Sequence, residues 1–379
     1  MSEDLGRYDL IVVGGGIAGI ALAGELAPGA RVLVLERESQ PAYHSSGRSA
    51  AVYIEPYSTA AIFALTRATL PFLQQPPEGF TDQALLHERG YLLLAPPGQE
   101  RELDDFLATW QPRCPDIREI DPAEALARVP VLREGYARRA AFDAATWSLD
   151  TNEMLQGWLR SLRRQGGRFV GDAGVPQCRA QGRRRFVVTT SAGTALAPML
   201  VNAAGAWAGE LARLAGASDL GLEPRRRSAV LVEAPRGLDP SAWPAVSDLG
   251  KGFYFKPEGR DLMISPADAT PSVPCDARPE ELDLALAVER AEAAAELDVR
   301  RFRASWAGLR TFARDENPVF GPDPALPGFY WCAGQGGTGF QTAAAAARWC
   351  AAELGVGRPP EGLAELGFQP ADVAPERLV

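Results

Sequence analysis

The sequence predicts an α/β fold: a Rossmann-like nucleotide-binding domain interleaved with a second lobe built on a mixed or antiparallel sheet. Three observations predict it. First, the run Tyr8 to Val13 (YDLIVV) leads into Gly14–Gly15–Gly16–Ile17–Ala18–Gly19 and then a helical stretch through Leu26. Second, buried-strand signals followed by small residues return mid-chain, at Leu200 to Trp207 (LVNAAGAW), and near the end, at Phe329 to Ala333. Third, the segments Phe80 to Ala141 and Leu220 to Ala304 carry strand signals such as YLLLA, SAVLVEA, GFYFKP and LMIS.

The opening unit follows from local chemistry. A short apolar run rich in β-branched residues suits a parallel strand buried on both faces. Gly14 makes the tight turn, Gly16 lets backbone approach a pyrophosphate, and Gly19 lets helix and strand pack closely. Pro28 and Gly29 close the helix, and Arg31 to Leu35 (RVLVL) forms a second strand ending at Glu36. Glu36 follows Gly14 by about twenty residues, where a carboxylate accepts both ribose hydroxyls of an adenosine. The unit therefore predicts dinucleotide binding, with NAD and FAD both open on this signal.

Further along, Asp150 to Arg164 is amphipathic and opens with the capping pattern DTNE, which predicts a helix. Arg168 to Val201 alternates strand-like runs with turns, and Glu280 to Val299 is rich in alanine and reads as a helix. The glycine-rich block after Phe329 to Ala333 is expected to open a helix at about Thr338, its N–H groups facing the cofactor.

Composition narrows the function. A net charge of −9 argues against a nucleic-acid or anionic-membrane surface as the main partner. Two histidines, His44 and His87, are too few for a multi-histidine metal site, and no metal is expected. Five widely spaced cysteines without a CxxC pair fit a reducing compartment rather than a disulfide framework. The polar amino terminus is unlike a secretory signal, and the apolar stretch Leu10 to Gly24 is too short and glycine-broken for a membrane span. A soluble cytoplasmic protein is the expectation. Lys251 and Lys256 are the only lysines among thirty-nine basic residues, and most of that arginine bias reads as composition.

Four blocks, in order, carry a resemblance: PAYHSSGRSAAVY (Pro41 to Tyr53), LVNAAGAW, WAGLRTF (Trp306 to Phe312) and AGQGGTGFQT (Ala333 to Thr342). Together they resemble the FAD-dependent amine and D-amino-acid oxidoreductases, the family of glycine oxidase, sarcosine oxidase and D-amino-acid oxidase. Within it the sequence is most similar to the bacterial D-arginine dehydrogenases. The resemblance implies non-covalent FAD held by Gly14, Gly16, Gly19, Glu36 and Arg37. It places Ser46, Arg48, Ser49 and Ala50 along the diphosphate and ring, and Val175 at the adenine. Ala204, Gly205 and Trp207, with Gly336, Gly337, Thr338 and Gly339, complete the cofactor set, and Cys332 is expected to be structural. It also implies a discontinuous FAD domain (1–80, 142–217 and 306–379) and a substrate domain (81–141 and 218–305).

A carboxylate substrate needs fixed cations, and arginine's planar fork suits one better than lysine. By resemblance, Arg310 pairs with the substrate carboxylate and Arg227 is a second carboxylate-facing arginine, although Arg225 or Arg226 could take its role. Tyr57 and Tyr254 would line the pocket, Gly337 would offer a carbonyl to the amine, and Gln341 would lie one turn into the following helix. The sequence departs from the D-arginine dehydrogenase pattern at Val52, in place of a histidine, and at Tyr91, in place of the glutamate that reads a guanidinium. Losing that carboxylate favours a neutral side chain over D-arginine or D-lysine. His87 is expected near the pocket rim or on the surface. The implied reaction is hydride transfer from Cα to flavin N5, giving an imino acid and then a 2-oxo acid and ammonia. Secondary amines, glycine derivatives, 2-hydroxy acids and a catalytically idle FAD-binding protein stand as alternatives, with oxygen or a quinone-like molecule as electron acceptor.

Overall fold

The structure, a computed structural model, describes residues 3–180 and 185–379. Residues 181–184, inside the Arg168 to Val201 stretch, lie outside the described residues. At the centre is a six-stranded sheet in the order Arg168–Val170, Val32–Leu35, Leu10–Val13, Met199–Asn202, Phe329–Ala333 and Val319–Pro322. Every neighbouring pair is parallel except the last. Alternation divides the strand Leu10–Val13 between two cores. Leu10 and Val12 pack with the helices Ile17–Leu26, Thr151–Arg164 and Ala343–Glu353. Ile11 and Val13 pack on the other side with Phe186, Val188 and Leu211. That double burial explains why the strand is apolar throughout.

The helix Ile17–Leu26 and the strands Leu10–Val13 and Val32–Leu35 match the βαβ reading closely. Asp150 caps Thr151–Arg164 by accepting from the Glu153 N–H at 2.8 Å, as its DTNE signature predicts. Two predicted helices are shorter. The stretch from Glu280 forms a helix only over Glu281–Ala294, after which Ala295 turns extended. The regular helix after the glycine-rich block begins at Ala343 and not at Thr338. Residues 336–342 fold as tight turns instead, because the Thr338 hydroxyl donates to Gln335 O and its carbonyl accepts from Thr342.

The second lobe is a nine-stranded mixed sheet, predominantly antiparallel. Its longest strands, Glu223–Glu233 and Phe302–Phe312, pair antiparallel along most of their length. Residues 306–312 therefore continue a strand of this sheet, as do residues 142–143 at the end of Arg139–Asp143, although the sequence reading gave both to the cofactor domain. One sheet face carries Val230, Val232, Leu262 and Ile264 against the helix Glu281–Ala294. The other face carries Arg227, Ala229 and Leu231 toward the six-stranded sheet side. Among the described residues no helix is long and apolar enough to cross a membrane.

Candidate active site

Two adjoining clefts, of about 950 and 940 Å³, lie where the carboxyl ends of the central strands meet the nine-stranded sheet. They share Gly16, Ser45, Ser46, Ala203 and Gly205, so they form one continuous groove. A crevice beyond the carboxyl ends of parallel strands, where the strand order reverses, is where such sheets bind ligands.

The first cleft is shaped by missing side chains. A Cβ on Gly14 (φ +114°) would stand 2.2 Å from Ala203 O, and one on Gly19 would stand 2.0 Å from Gly14 O. Gly14 and Gly19 therefore permit the turn and the close packing predicted for them. Glu36 lines the cleft and accepts from the N–H groups of Gly15 (2.5 Å) and Glu38 (2.9 Å), which fixes its carboxylate at the groove wall. Ser46 Oγ accepts from Ile17 N at 3.0 Å, capping the helix whose amino terminus faces the groove. Arg37 lies over the Trp207 ring at 4.3 Å, and Val175, 63% exposed, closes the far wall. This cradle fits an adenine dinucleotide: a fixed carboxylate for ribose, bare backbone and a helix end for phosphates.

Several cofactor assignments are corrected in detail. Arg48 lines the second cleft, but its guanidinium donates to Ala277 O and Ala307 O and pairs with Asp276. It therefore clamps the two lobes together and is not free for a phosphate. Ser49 and Ala50 line the cleft as expected, the Ser49 hydroxyl accepting from Ala51 N. The Thr338 side chain is buried and turned inward, leaving Gly336, Gly337 and Gly339 to form the wall. Cys332 is buried, and all five cysteines are free.

The far end of the second cleft is cationic. Arg225 stands directly across from Arg310, and Arg227 from Gly308, so all three arginines share one sheet face. Their partners differ. Arg225 is held by Glu223 and Glu316, while Arg226, on the opposite face, pairs with Glu280 and Asp283. Arg227 and Arg310 line the cleft and have no carboxylate partner among the described residues. Arg227 donates to Asp268 O, whose own carboxylate is occupied by Ser228. Burial, then the Arg310 charge, pulls Arg227 below its ordinary basicity. Arg310 donates to the Tyr57 hydroxyl at 3.2 Å. Its charge, set against burial and helped by Arg227, lowers the Tyr57 phenol, although Tyr57 is 41% exposed and solvent screens much of the effect.

Tyr254 lines the cleft beside Met263, Trp306 and Phe340. Gly337 lies against the Arg310 guanidinium. Two predicted site residues stand elsewhere. Gln341 is buried and fully engaged, bonding Ile54 N, Ile54 O and the Thr66 hydroxyl, so it braces the site from behind. Val52 pairs with Ser148 in a three-stranded sheet and lies outside the cleft walls. Tyr91 lies beside Ser247, within electrostatic reach of Tyr57 and Tyr254, and burial pushes its phenol well up so that it stays neutral. His87 is exposed, in the same sheet row as Val52.

Sequence reasoning missed Trp306, Met263, Tyr43 and His44 as wall residues. Period-two alternation from Arg310 reaches Gly308 and Trp306, so Trp306 was findable. Met263 arrives through non-local strand pairing and left no signal.

The comparisons agree with this geometry. Residues 9–353 match the family described as DAO, FAD dependent oxidoreductase. Glycine oxidase of Pseudomonas aeruginosa is 28% identical, covering 93% of this chain and 95% of that protein. Mitochondrial L-2-hydroxyglutarate dehydrogenase of Caenorhabditis elegans is 27% identical, over 70% of this chain and 64% of that protein. Among solved structures, glycine oxidase from Geobacillus kaustophilus superposes with a TM-score of 0.80 at 24% identity, covering 92% of this chain and 95% of that one. The mixed-sheet lobe, the dinucleotide cradle and the match across most of the chain together place this protein in the DAO family of FAD-dependent oxidoreductases.

Proposed function

We propose that the protein catalyses oxidative deamination of a D-amino acid with a neutral or hydrophobic side chain, giving an imino acid that hydrolyses to a 2-oxo acid and ammonia. The observation that carries this reading is the pair Arg227 and Arg310, two half-buried cations on one cleft wall with no ion-pair partner among the described residues. Burying unpaired like charges is costly, and an anionic substrate group offsets that cost. The FAD, when bound, supplies the chemistry by accepting the Cα hydride at N5.

The side chains then bind and orient. Arg310 and Arg227 fix the carboxylate, the exposed Tyr57 hydroxyl adds a hydrogen bond at the mouth, and Tyr254 walls the pocket. Among the described residues no carboxylate lines the second cleft to receive a guanidinium or ammonium. Trp306, Met263 and Phe340 suit an apolar side chain instead. The D configuration rests on the motif resemblance described for the sequence.

A second reading keeps the same clamp for a 2-hydroxy acid or a glycine derivative, because two arginines hold any such carboxylate. It is favoured by the similarity to L-2-hydroxyglutarate dehydrogenase. Anaerobic bleaching of the flavin absorbance with a panel of neutral and cationic D-amino acids, sarcosine, L-proline and 2-hydroxyglutarate separates the readings. Bleaching fastest with neutral D-amino acids is the expected result. Bleaching only by hydroxy acids replaces the proposal with the second reading, and bleaching by none of them overturns both.

A further inference from the structure

The strands Asp261–Ser265 and Thr270–Pro271 both pair with Glu223–Glu233, the first opposite Val230 to Glu233 and the second opposite Arg225 and Arg226. Between them residues 266–269 leave the ladder, opposite Arg227 to Ala229. The ends of this span are fixed, since Pro266 O accepts from Arg290 at 3.2 Å and Thr270 is paired with Arg226. In its middle Ala267 takes φ +55°, a conformation disfavoured outside glycine. Such backbone persists only where neighbouring contacts hold it. The Ala267 N–H bonds the Ser265 hydroxyl, and Asp268 supplies the rest.

Asp268 straddles the strand edge. Its carboxylate accepts from the Ser228 N–H at 2.7 Å and from the Ser228 hydroxyl at 3.0 Å, satisfying the N–H that the interrupted ladder would leave bare. Arg226 lies 3.9 Å from that carboxylate on the helix side, but Glu280 and Asp283 already match its charge. The Asp268 carbonyl serves the groove side, where it accepts from Arg227 Nε at 2.5 Å. The difference between the two groups matters for a cation that must hold a substrate. A carboxylate beside Arg227 would neutralise it and compete with the substrate, whereas a neutral carbonyl orients the guanidinium and leaves its charge available. With Nε engaged, Arg227 meets a bound carboxylate through its Nη groups.

We propose that Asp268 is a positioning residue for carboxylate binding: pinned by Ser228, it presents its backbone carbonyl to Arg227 and fixes where that guanidinium stands in the groove. The inference rests on the reading of Arg227 and Arg310 as the substrate's carboxylate clamp. Asp268 is absent from the walls of both clefts, so it acts through Arg227 and not by touching substrate or cofactor. Ser228 has the complementary task of keeping the Asp268 carboxylate off the cation.

The test uses the FAD-loaded protein and benzoate, a carboxylate without an amine, titrated by calorimetry so that no turnover is needed. Asp268→Ala is expected to weaken benzoate binding about tenfold by freeing the carbonyl. Asp268→Asn keeps an acceptor for the Ser228 N–H without the charge, and should stay within about threefold of wild type. In an Arg227→Ala background, where Arg310 holds the probe, adding Asp268→Ala should cost nothing further. A merely structural role would lower affinity in either background. Wild-type affinity in Asp268→Ala overturns the proposal, as does Asp268→Asn binding as weakly as the alanine variant, or an equal loss with and without Arg227. Should Asp268→Ala not load FAD, Ser228→Ala takes its place. It removes one of the two anchors, with an expected loss of about threefold, and no loss overturns the proposal. A wild-type protein that does not bind benzoate, or binds it equally well after Arg310→Ala, sinks the clamp reading itself. Binding that needs Arg310 but is indifferent to Asp268 sinks this inference alone.

Discussion

A methyl group added to Gly337 would stand 2.7 Å from Nη1 of Arg310. The backbone of the glycine-rich turn thus forms the floor on which the guanidinium rests, and it sets where a carboxylate can meet that guanidinium. Gly337 is exposed and its φ is not in the left-handed region, so alanine is tolerated by the backbone. Gly337→Ala is expected to lower kcat/KM about 10²-fold by misplacing the clamp, with the melting temperature unchanged. A KM and kcat comparison beside a thermal melt checks both halves.

The two arginines opposite one another across the strands give a sharper contrast. Arg310→Ala removes an unpaired cation from the cleft and should cost roughly 10²–10³-fold in kcat/KM for a carboxylate substrate. Arg225→Ala removes its directly opposed neighbour, whose charge Glu223 and Glu316 already match, and should change kcat/KM less than about threefold. Equal effects from the two substitutions would show that Arg310 has no special role.

Gly14 has both a positive φ and Ala203 O in the space a Cβ would fill. Gly14→Ala therefore forces the turn away from the strand Met199–Asn202 and closes the groove. The protein should purify with little FAD, and apoprotein titrated with FAD should bind it at least tenfold more weakly.

Acid sensitivity has a local source at the carboxyl terminus. Arg377 bonds Asp315 and the carbonyls of Asn317 and Pro318, tying the last turn to the loop before Val319–Pro322. Burial raises the Asp315 carboxyl, but the Arg377 hydrogen bond and charge outweigh it and hold the carboxyl below its ordinary value of 3.8. A carboxyl with a depressed folded value adds stability above its unfolded value and loses it as pH falls through the folded one. Asp315 is 36% exposed, so solvent screening limits the contribution. Asp315→Asn should cost about 1 kcal/mol at pH 7, and the difference should close below pH 3.8. Denaturant titrations of both proteins at the two pH values measure it.

What was legible in the sequence was what local rules control. The βαβ unit, its glycines, Glu36 and the cap at Asp150 depend on residues near in the chain, and each appears where its pattern places it. The helix after the glycine-rich block was misplaced because side-chain bonds at Thr338 favour turns over a continuous helix. The engagements of Gln341 and Arg48 were not legible for a related reason. Both are polar residues beside the cleft, and only the fold shows that partners distant in sequence, Ile54 and Thr66 or Ala277 and Ala307, already occupy them. Met263 and Asp268 depend on strand pairing between distant segments, which no local pattern encodes.

Arg225, Arg226 and Arg227 have the same side chain but three different surroundings, and only odd or even position along the strand separates the last two. The register irregularity in this strand falls between Leu231 and Val232, beyond the arginines, so their phase against Gly308 and Arg310 is intact. A single residue inserted between Arg227 and Leu231 would exchange the two faces, delivering a helix-binding arginine to the groove and burying the substrate's cation against Asp283. Tolerance to insertion in this strand is therefore expected to have a parity: two residues could preserve the assignment of faces, and one could not.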